Sequence, residues 1–198
     1  MNMAAGLIII TVGLAGGLLY KVDYVYGIDK KLFLKINQSK KLEKADFLFQ
    51  MFYPLGTKWW FTAVILLFAF AVPSKGVFLM ASAIVMSLTE RLVKIYIKRP
   101  RPFLSLTDVL IRQRKRPSDG SFPSGDACRI WFLAVAALFV SHFNFLVASS
   151  AFILALIVSL GRLRLGVHYF SDVWAGSMLG AGFAAGCFLS CQTYINTI

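Results

Sequence analysis

Six long apolar segments constrain what this chain can fold into more than any other feature of its sequence. Each approaches or reaches the roughly 17 to 25 residues that an α-helix needs to cross a bilayer, and the second is the shortest. Segments such as 151–160 are apolar on every side, whereas helices of a soluble bundle show polar faces at a period of about 3.6 residues. The sequence therefore predicts an all-α, polytopic membrane bundle with about six transmembrane helices, at Met3–Tyr20, Trp59–Val72, Gly76–Ile97, Cys128–Phe143, Phe145–Leu160 and Val173–Ser190.

Length and composition fit one integral membrane domain over residues 1–198. A chain of 198 residues has the size of a single domain, and it contains no linker-like stretch. Hydrophobic residues make up 58% of it and charged residues 15%, compared with roughly a quarter charged in soluble proteins. No basic residue precedes the first apolar segment and no clear small-x-small cleavage site follows it. We therefore expect a retained helix there and not a signal peptide.

The formal net charge of +12 comes largely from cations that lie next to the predicted spans. This arrangement favours anionic membrane lipid, and not nucleic acid, as the partner. Between the first two spans, segment 21–58 places apolar residues at helical spacing among lysines: Leu32 and Ile36, then Leu42, Ala45 and Phe49. This pattern predicts short interfacial helices, and a solvated loop with chance periodicity is the alternative. Neither a disulfide framework nor a metal cofactor is expected, because the three cysteines fall inside predicted spans and two histidines cannot build a usual zinc site.

The connections between the predicted spans decide where chemistry can take place. With six spans, the first, third and fifth loops lie on one side of the membrane. The loops at 73–75 and 142–144 are too short to hold a site, whereas 98–126 and 162–172 are rich in polar residues. The polar residues of the longer loops should therefore meet at one face. Within the last span, Gly176, Gly180, Gly182 and Gly186 form small-xxx-small patterns, which we interpret as packing surfaces inside the molecule.

The fifth loop contains Arg162, His168 and Asp172 in the run Gly-Arg-Leu-Arg-Leu-Gly-Val-His-Tyr-Phe-Ser-Asp. If the last helix begins near His168, this histidine and Asp172 share one helical face. The aspartate can then accept a hydrogen bond from one ring nitrogen and leave the other nitrogen free to attack. A structural His–Asp pair is the commoner outcome of this spacing. The cost of placing ionisable groups at a membrane boundary nevertheless favours a functional role.

The third loop ends in Pro-Ser-Gly, immediately before the fourth span. Ser124 or a neighbour can cap that helix, and the free amides of the helix start form an anion site next to Gly125. The alternative is an ordinary capped helix start.

The same loop begins with a basic motif, Lys94 followed after six residues by Arg101 and Pro102. The prolines at 100 and 102 must end the third helix near Arg99, since proline disrupts a helix at and before its own position. Lys94 then stays on the helix while Arg101 lies on the extended exit, so that both cations can approach one phosphate. A basic flank that binds lipid headgroups is the alternative for this motif taken alone.

In chain order, the three motifs resemble the three-part signature of the type 2 phosphatidic acid phosphatase superfamily. The resemblance runs from Lys94 to Asp172, and the layout of six spans extends it over most of the chain. It implies a metal-independent membrane lipid phosphatase that forms a phosphohistidine. By this resemblance, His168 attacks phosphorus and Asp172 orients it, while the phosphoryl oxygens are held by Lys94, Arg101, Ser124, Gly125 and Arg162.

Two positions depart from the family pattern. The family usually has a histidine after Pro-Ser-Gly that protonates the leaving oxygen, and this chain has Asp126. Three readings stay open: Asp126 is the acid, staying protonated in a desolvated site; the leaving group needs little help, as in a diphosphate or an anomeric phosphate; or catalysis is impaired. The second departure is Gly161, where a serine normally precedes the arginine.

The orientation in the membrane receives two conflicting predictions. All of the 21 basic residues except Lys75 lie on or near the side of the long loops, so the positive-inside rule would place the site in the cytoplasm. The family resemblance implies a site that faces the periplasm of a bacterial inner membrane, and we follow it because phosphate and headgroup binding explain many of these cations.

The expected substrate is a phosphorylated membrane lipid. The candidates are phosphatidic acid, phosphatidylglycerophosphate, a polyprenyl diphosphate and a phosphorylated lipid A. The competing hypothesis is a non-catalytic anionic-lipid-binding protein or transporter of the same fold, which Asp126 supports best.

Overall fold

A computed structural model describes residues 2–71 and 73–195, and each of the six predicted spans coincides with a helix. The predicted end of the second span, Val72, lies outside the described residues. The α-helices are α1 (Asn2–Leu18), α2 (Asp23–Asn37), α3 (Asp46–Phe52), α4 (Lys58–Ala71), α5 (Pro73–Ile97), α6 (Pro102–Ser105), α7 (Gly125–Val140), α8 (Phe145–Arg164) and α9 (Phe170–Ile195).

Length and apolarity identify which of these helices can cross a bilayer. Within residues 2–71 and 73–195, three stretches are long and apolar enough to cross a bilayer on their own: Ala4–Lys21, Lys75–Ser105 and Phe145–Arg164. A fourth span results if Lys40–Gly56 and Lys58–Ala71, which meet at an angle of 53°, are taken together. The chain is thus an integral membrane protein of the helical class that its sequence predicts.

Glycines bring α9 into contact with two neighbouring helices. A Cβ atom at Gly180 would lie 1.9 Å from the Cys128 carbonyl oxygen, and one at Gly176 would lie 2.3 Å from that of Ser124, so α7 and α9 touch backbone to backbone. On another side of α9, a Cβ atom at Gly182 would lie 2.8 Å from the Gly6 carbonyl oxygen of α1. The interpretation of these glycines as internal packing surfaces is therefore confirmed, and the contact at Gly176 positions the start of α7.

The segment between the first two spans is helical, which confirms the predicted interfacial helices and excludes the loop alternative. It comprises α2, α3 and short 3₁₀ turns at Leu19–Lys21, Lys40–Ala45 and Tyr53–Gly56. Phe33 is completely buried, whereas Leu32 is 39% exposed. The buried face of α2 thus differs by one residue from the periodicity read in the sequence, because α2 turns Asp29, Phe33 and Asn37 inward.

A polar network holds these interfacial helices against the end of α8. The buried Arg164 guanidinium donates to the carbonyl oxygens of Asn37 and Ser39, at 2.8 Å each, and pairs with both carboxylate oxygens of Asp46. The Asn37 amide in turn donates to the carbonyl oxygens of Leu110 and Arg164. Segment 37–46, the third loop and the end of α8 are therefore fixed to one another directly beside the fifth loop.

Candidate active site

The three sequence motifs meet at one end of the bundle. His168 lies between α8 and α9, Arg101 lies on the exit from α5, and Arg162 lies in the last turn of α8. Helix α5 ends at Ile97, as the two prolines predict, and Lys98 follows with a φ of 47°. The Arg101 Nη1 atom lies 3.1 Å from His168 Nε2, so residues 67 positions apart in the chain are in direct contact.

The tautomer of His168 follows from its two ring contacts. Nδ1 lies 2.8 Å from the Ser121 carbonyl oxygen, which can only accept a hydrogen bond, so Nδ1 must carry the proton. Nε2 faces a guanidinium, which can only donate, and therefore presents a lone pair. The Ser121 backbone is itself held by its amide, which donates to the Arg99 carbonyl oxygen at 2.8 Å. The ring is thus fixed with Nε2 unprotonated, so Nε2 is the ring atom that can act as a nucleophile.

The surroundings of His168 keep the ring neutral. Burial, and then the positive charges of Arg101, Arg162 and Lys94, hold the pKa of His168 well below its usual value. A neutral imidazole retains the lone pair that attack on phosphorus requires. The neighbouring cations therefore help to keep the imidazole in the neutral form that can act as a nucleophile.

Donors near the ring are available for an anion. The Ser124 hydroxyl and the Nε and Nη1 atoms of Arg162 are buried and have no hydrogen-bond partner among the described residues. Buried donors are normally satisfied, and each unmet one costs about 1 to 3 kcal/mol. The arrangement suits a ligand that carries several acceptor oxygens.

The start of α7 differs in detail from the prediction. Ser124 occupies the N-cap position, but its backbone amide donates to the Asp172 carbonyl oxygen at 2.9 Å and its hydroxyl makes no capping hydrogen bond. The hydroxyl, and not the amide, is therefore the donor that Ser124 can offer. A side chain at Gly125 would lie 2.8 Å from Glu90 Oε1 and 3.0 Å from Arg129 Nη1, so glycine leaves room there for an ion pair.

Asp172 does not accept the predicted hydrogen bond from His168. Its nearer oxygen lies 3.6 Å from Nδ1, because α9 begins at Phe170 and leaves the histidine outside the helix. The expectation of a direct His168–Asp172 hydrogen bond is wrong, and the Ser121 carbonyl takes that place. Asp172 instead accepts from the Tyr169 amide at 2.9 Å, and thereby fixes the backbone next to the histidine.

Arg99 is a buried residue of the site region that the sequence analysis did not single out. Its guanidinium pairs with Asp172 at 2.6 Å and with Asp29 at 2.8 Å, and lies between the rings of Tyr20 and Tyr169. Asp29 also accepts from the Ser171 amide at the start of α9. The basic run around 98–101 contains the residue, but sequence alone does not distinguish Arg99, which pairs with buried carboxylates, from Arg101, which contacts His168.

Asp126 lies between two guanidinium groups. Its Oδ1 is 2.6 Å from Arg129 Nη2, and its Oδ2 is 3.0 Å from Arg162 Nη2. Two such partners stabilise the ionised carboxylate, whereas a general acid must hold a proton. The geometry argues against Asp126 as a proton donor and makes it the residue that directs Arg162. Arg129 was not predicted; its spacing of three residues from Asp126 on α7 is the sequence signal that could have indicated it.

Lys94 lies at the edge of the site, on α5. Its Nζ atom is 3.0 Å from Glu90 Oε1 and 2.8 Å from Asp119 Oδ2. Arg101 Nη2 also contacts Asp119, at 2.7 Å from Oδ1. The two cations predicted to approach one phosphate thus do converge on one anion, a carboxylate of the chain itself.

Comparisons with known proteins bear on this arrangement. The family model described as the PAP2 superfamily matches residues 75–195, which include all three motifs. The chain belongs to the PAP2 superfamily. A search of the curated proteins found no match.

Two solved structures share the PAP2 fold of this chain. One, titled as the first transmembrane PAP2-type phosphatidylglycerolphosphate phosphatase from Bacillus subtilis, superposes with a TM-score of 0.77 at 19% identity, covering 98% of this chain and 97% of that one. The other, Aquifex aeolicus LpxE, gives a TM-score of 0.68 at 23% identity, covering 83% of this chain and 94% of that one. The TM-scores show that the three chains share one fold, and at identities below 25% the comparison shows the fold alone.

We expect Arg99→Met to destabilise this PAP2 protein by about 3 to 5 kcal/mol, because the substitution leaves Asp29 and Asp172 buried without their counterion. Lys98→Met, at an exposed neighbour of the same charge, is the matched control and should change stability by less than about 0.5 kcal/mol. Unfolding of the purified proteins in detergent measures both. A wild-type unfolding midpoint for Arg99→Met would contradict the structural role of this ion pair.

Proposed function

We propose that this protein is a membrane lipid phosphatase that acts through a phosphohistidine on His168. The observation that carries the proposal is the unprotonated Nε2 atom of His168, which lies against Arg101. The motifs of the site also supply the unpartnered donors of Arg162 and Ser124. Family membership supports the same chemistry.

The reaction takes place in two displacements. Nε2 attacks phosphorus, the bond from phosphorus to the lipid oxygen breaks, and that oxygen leaves with the bonding electrons and takes a proton from water. Water then attacks the phosphohistidine, the phosphorus–nitrogen bond breaks with its electron pair returning to Nε2, the attacking water gives a proton to the solvent hydroxide left by the first step, and inorganic phosphate departs. Arg162, Arg101 and Lys94 stabilise the charge on the transferring group, Ser124 contributes its hydroxyl, and Gly125 contributes the N-terminus of α7.

An apolar cleft supports a lipid as the carrier of that phosphate. The cleft, of about 410 Å³, extends between α4, α7 and α8 from Leu55 and Ile130 to Val140. Two of the residues at one end of the cleft, Leu55 and Ile130, are next in the chain to Gly56 and Arg129. Arg129 donates to the Gly56 carbonyl oxygen and pairs with Asp126. An acyl chain lying along α7 would therefore end next to the site. The lipid belongs to one of the four candidate classes, and the activity for which the Bacillus subtilis neighbour is named favours phosphatidylglycerophosphate among them.

His168→Ala should lower phosphate release from a panel of lipid phosphates by at least about a thousandfold, because it removes the nucleophile. His142→Ala changes the chain's other histidine, in the short turn after α7, and should retain wild-type activity. A ³²P-labelled lipid phosphate should leave base-stable label on the wild-type protein and none on the His168 variant. Unchanged turnover in His168→Ala would exclude this mechanism. A wild-type protein that binds lipid phosphates but releases no phosphate from them would favour the non-catalytic lipid-binding protein.

Asp126→Asn should lower kcat/KM by about tenfold, and by the same factor for a lipid diphosphate and a lipid monophosphate. The reason is that the carboxylate positions Arg162 and does not protonate the leaving oxygen. Asp23→Asn, at an exposed position on α2, controls for the loss of a negative charge. A much larger loss on the monophosphate, whose leaving alcohol needs a proton, would show instead that Asp126 is the acid.

We further propose that the site faces the periplasm across a bacterial inner membrane. Many of the cations on this side make defined contacts to carboxylates and carbonyls near the site, which offers an explanation other than the positive-inside rule. In a cysteine-free background, Lys115→Cys should react with a membrane-impermeant thiol reagent in intact cells, and Lys75→Cys should be protected. Protection of the cysteine at position 115 together with labelling at position 75 would reverse the assignment.

A further inference from the structure

A carboxylate of the chain contacts two of the cations proposed to bind substrate phosphate. Asp119, in the connection before α7, bridges Lys94 Nζ at 2.8 Å and Arg101 Nη2 at 2.7 Å. Its side chain is 55% exposed, whereas those of Lys94 and Arg101 are 12% and 3% exposed. The cations are thus held within the protein, and the anion between them is open to water.

Arg101 has no donor left for a ligand in this arrangement. Its Nε donates to the Asp119 carbonyl oxygen, its Nη1 donates to the Val167 carbonyl oxygen and faces His168, and its Nη2 donates to the Asp119 carboxylate and the Gly120 carbonyl oxygen. A phosphoryl oxygen can reach Nη2 only if the carboxylate moves away.

Arg162 and Ser124 differ from Arg101 in this respect. Two nitrogens of Arg162 and the Ser124 hydroxyl are buried and unpartnered among the described residues. The phosphate-binding residues therefore form two groups: one is free to bind at once, and the other is occupied by an internal anion.

Asp119 remains ionised throughout the pH range in which the protein can be assayed. Burial raises its pKa, but the charges and hydrogen bonds of Lys94 and Arg101 outweigh burial and lower the pKa to about 2. A carboxylate with a lowered pKa is charged above that value and loses its ion pairs only as the pH falls towards 2. Between pH 5 and 8 it is a constant negative charge.

We propose that Asp119 competes with substrate for Lys94 and Arg101 and thereby sets the affinity that an anion needs to enter the site. Binding exchanges one carboxylate for one phosphoryl group, and the carboxylate moves into solvent. The exchange gains Coulomb energy for a dianionic phosphate, but little for the single charge of a phosphodiester. Because most membrane phospholipids are phosphodiesters, the exchange excludes bulk headgroups from the site. This inference rests on the proposed function for the chemistry of the site and adds the affinity threshold set by Asp119.

The test compares Asp119→Asn with Asp108→Asn, which removes the same charge from an exposed position of the same connection. Binding of inorganic phosphate at pH 8 and of dimethyl phosphate is measured by titration calorimetry on purified protein in detergent. Asp119→Asn should bind phosphate and dimethyl phosphate each about three- to tenfold more tightly, because removal of an internal competitor raises the affinity for every anion by the same factor. Asp108→Asn should change neither constant by more than about twofold.

A second variant and a second background keep the outcomes separate. Asp119→Ser should shift both constants in the same direction, and the ratio of wild-type to variant affinity for dimethyl phosphate should stay constant from pH 5 to 8. Weaker or unchanged binding of both anions in the two Asp119 variants would overturn the proposal and leave Asp119 as a support for the cations. The same titrations in the His168→Ala background do not depend on turnover, so a failure of the phosphatase assignment would not be mistaken for a failure of this one.

Discussion

The Arg99 guanidinium, buried between Asp29 and Asp172, is the interaction on which the geometry of the site depends. This guanidinium joins α2 to the start of α9. The backbone carbonyl of Arg99 accepts a hydrogen bond from the Ser121 amide. The Ser121 carbonyl in turn fixes the ring of His168. Removing a guanidinium from such a position leaves two buried carboxylates without compensation. The histidine is therefore oriented by an ion pair that makes no direct contact with it.

The charges around His168 come close to balancing each other without substrate. Four cations are linked to three carboxylates, with contacts from 2.6 to 3.9 Å; the cations are Lys94, Arg101, Arg129 and Arg162, and the carboxylates are Glu90, Asp119 and Asp126. Cations confined to a buried site repel one another, and internal carboxylates reduce that cost until an anion arrives. Asp119 also sets the affinity that a ligand needs, since the ligand must displace this carboxylate from Lys94 and Arg101. Asp126 and Asp119 thus have different roles. Asp126 directs Arg162, and Asp119 competes with substrate for Lys94 and Arg101.

Much of this protein could be predicted from its sequence because the signals are local. Long apolar runs predict helices in a bilayer, and Pro100 and Pro102 predict the end of α5, since backbone hydrogen bonding and proline geometry act over a few residues. The three motifs indicated the family, which the family comparison confirms. The buried face predicted for α2 was wrong by one residue, because a shift of one residue along a short interfacial helix changes which side chains turn inward.

The sequence by itself determined the helical membrane class, the superfamily and the set of residues available for chemistry, since composition, periodicity and motif spacing are written along the chain. Only the tertiary structure decided which atom each of those residues contacts. His168 is oriented by a carbonyl and not by Asp172, Asp126 is bound by two arginines, and Asp119 lies on Lys94 and Arg101. The reason is that a change of a few tenths of an ångström in the distance between two groups makes or breaks a hydrogen bond or ion pair. The groups are far apart in the chain, and packing of the helices sets the distances between them.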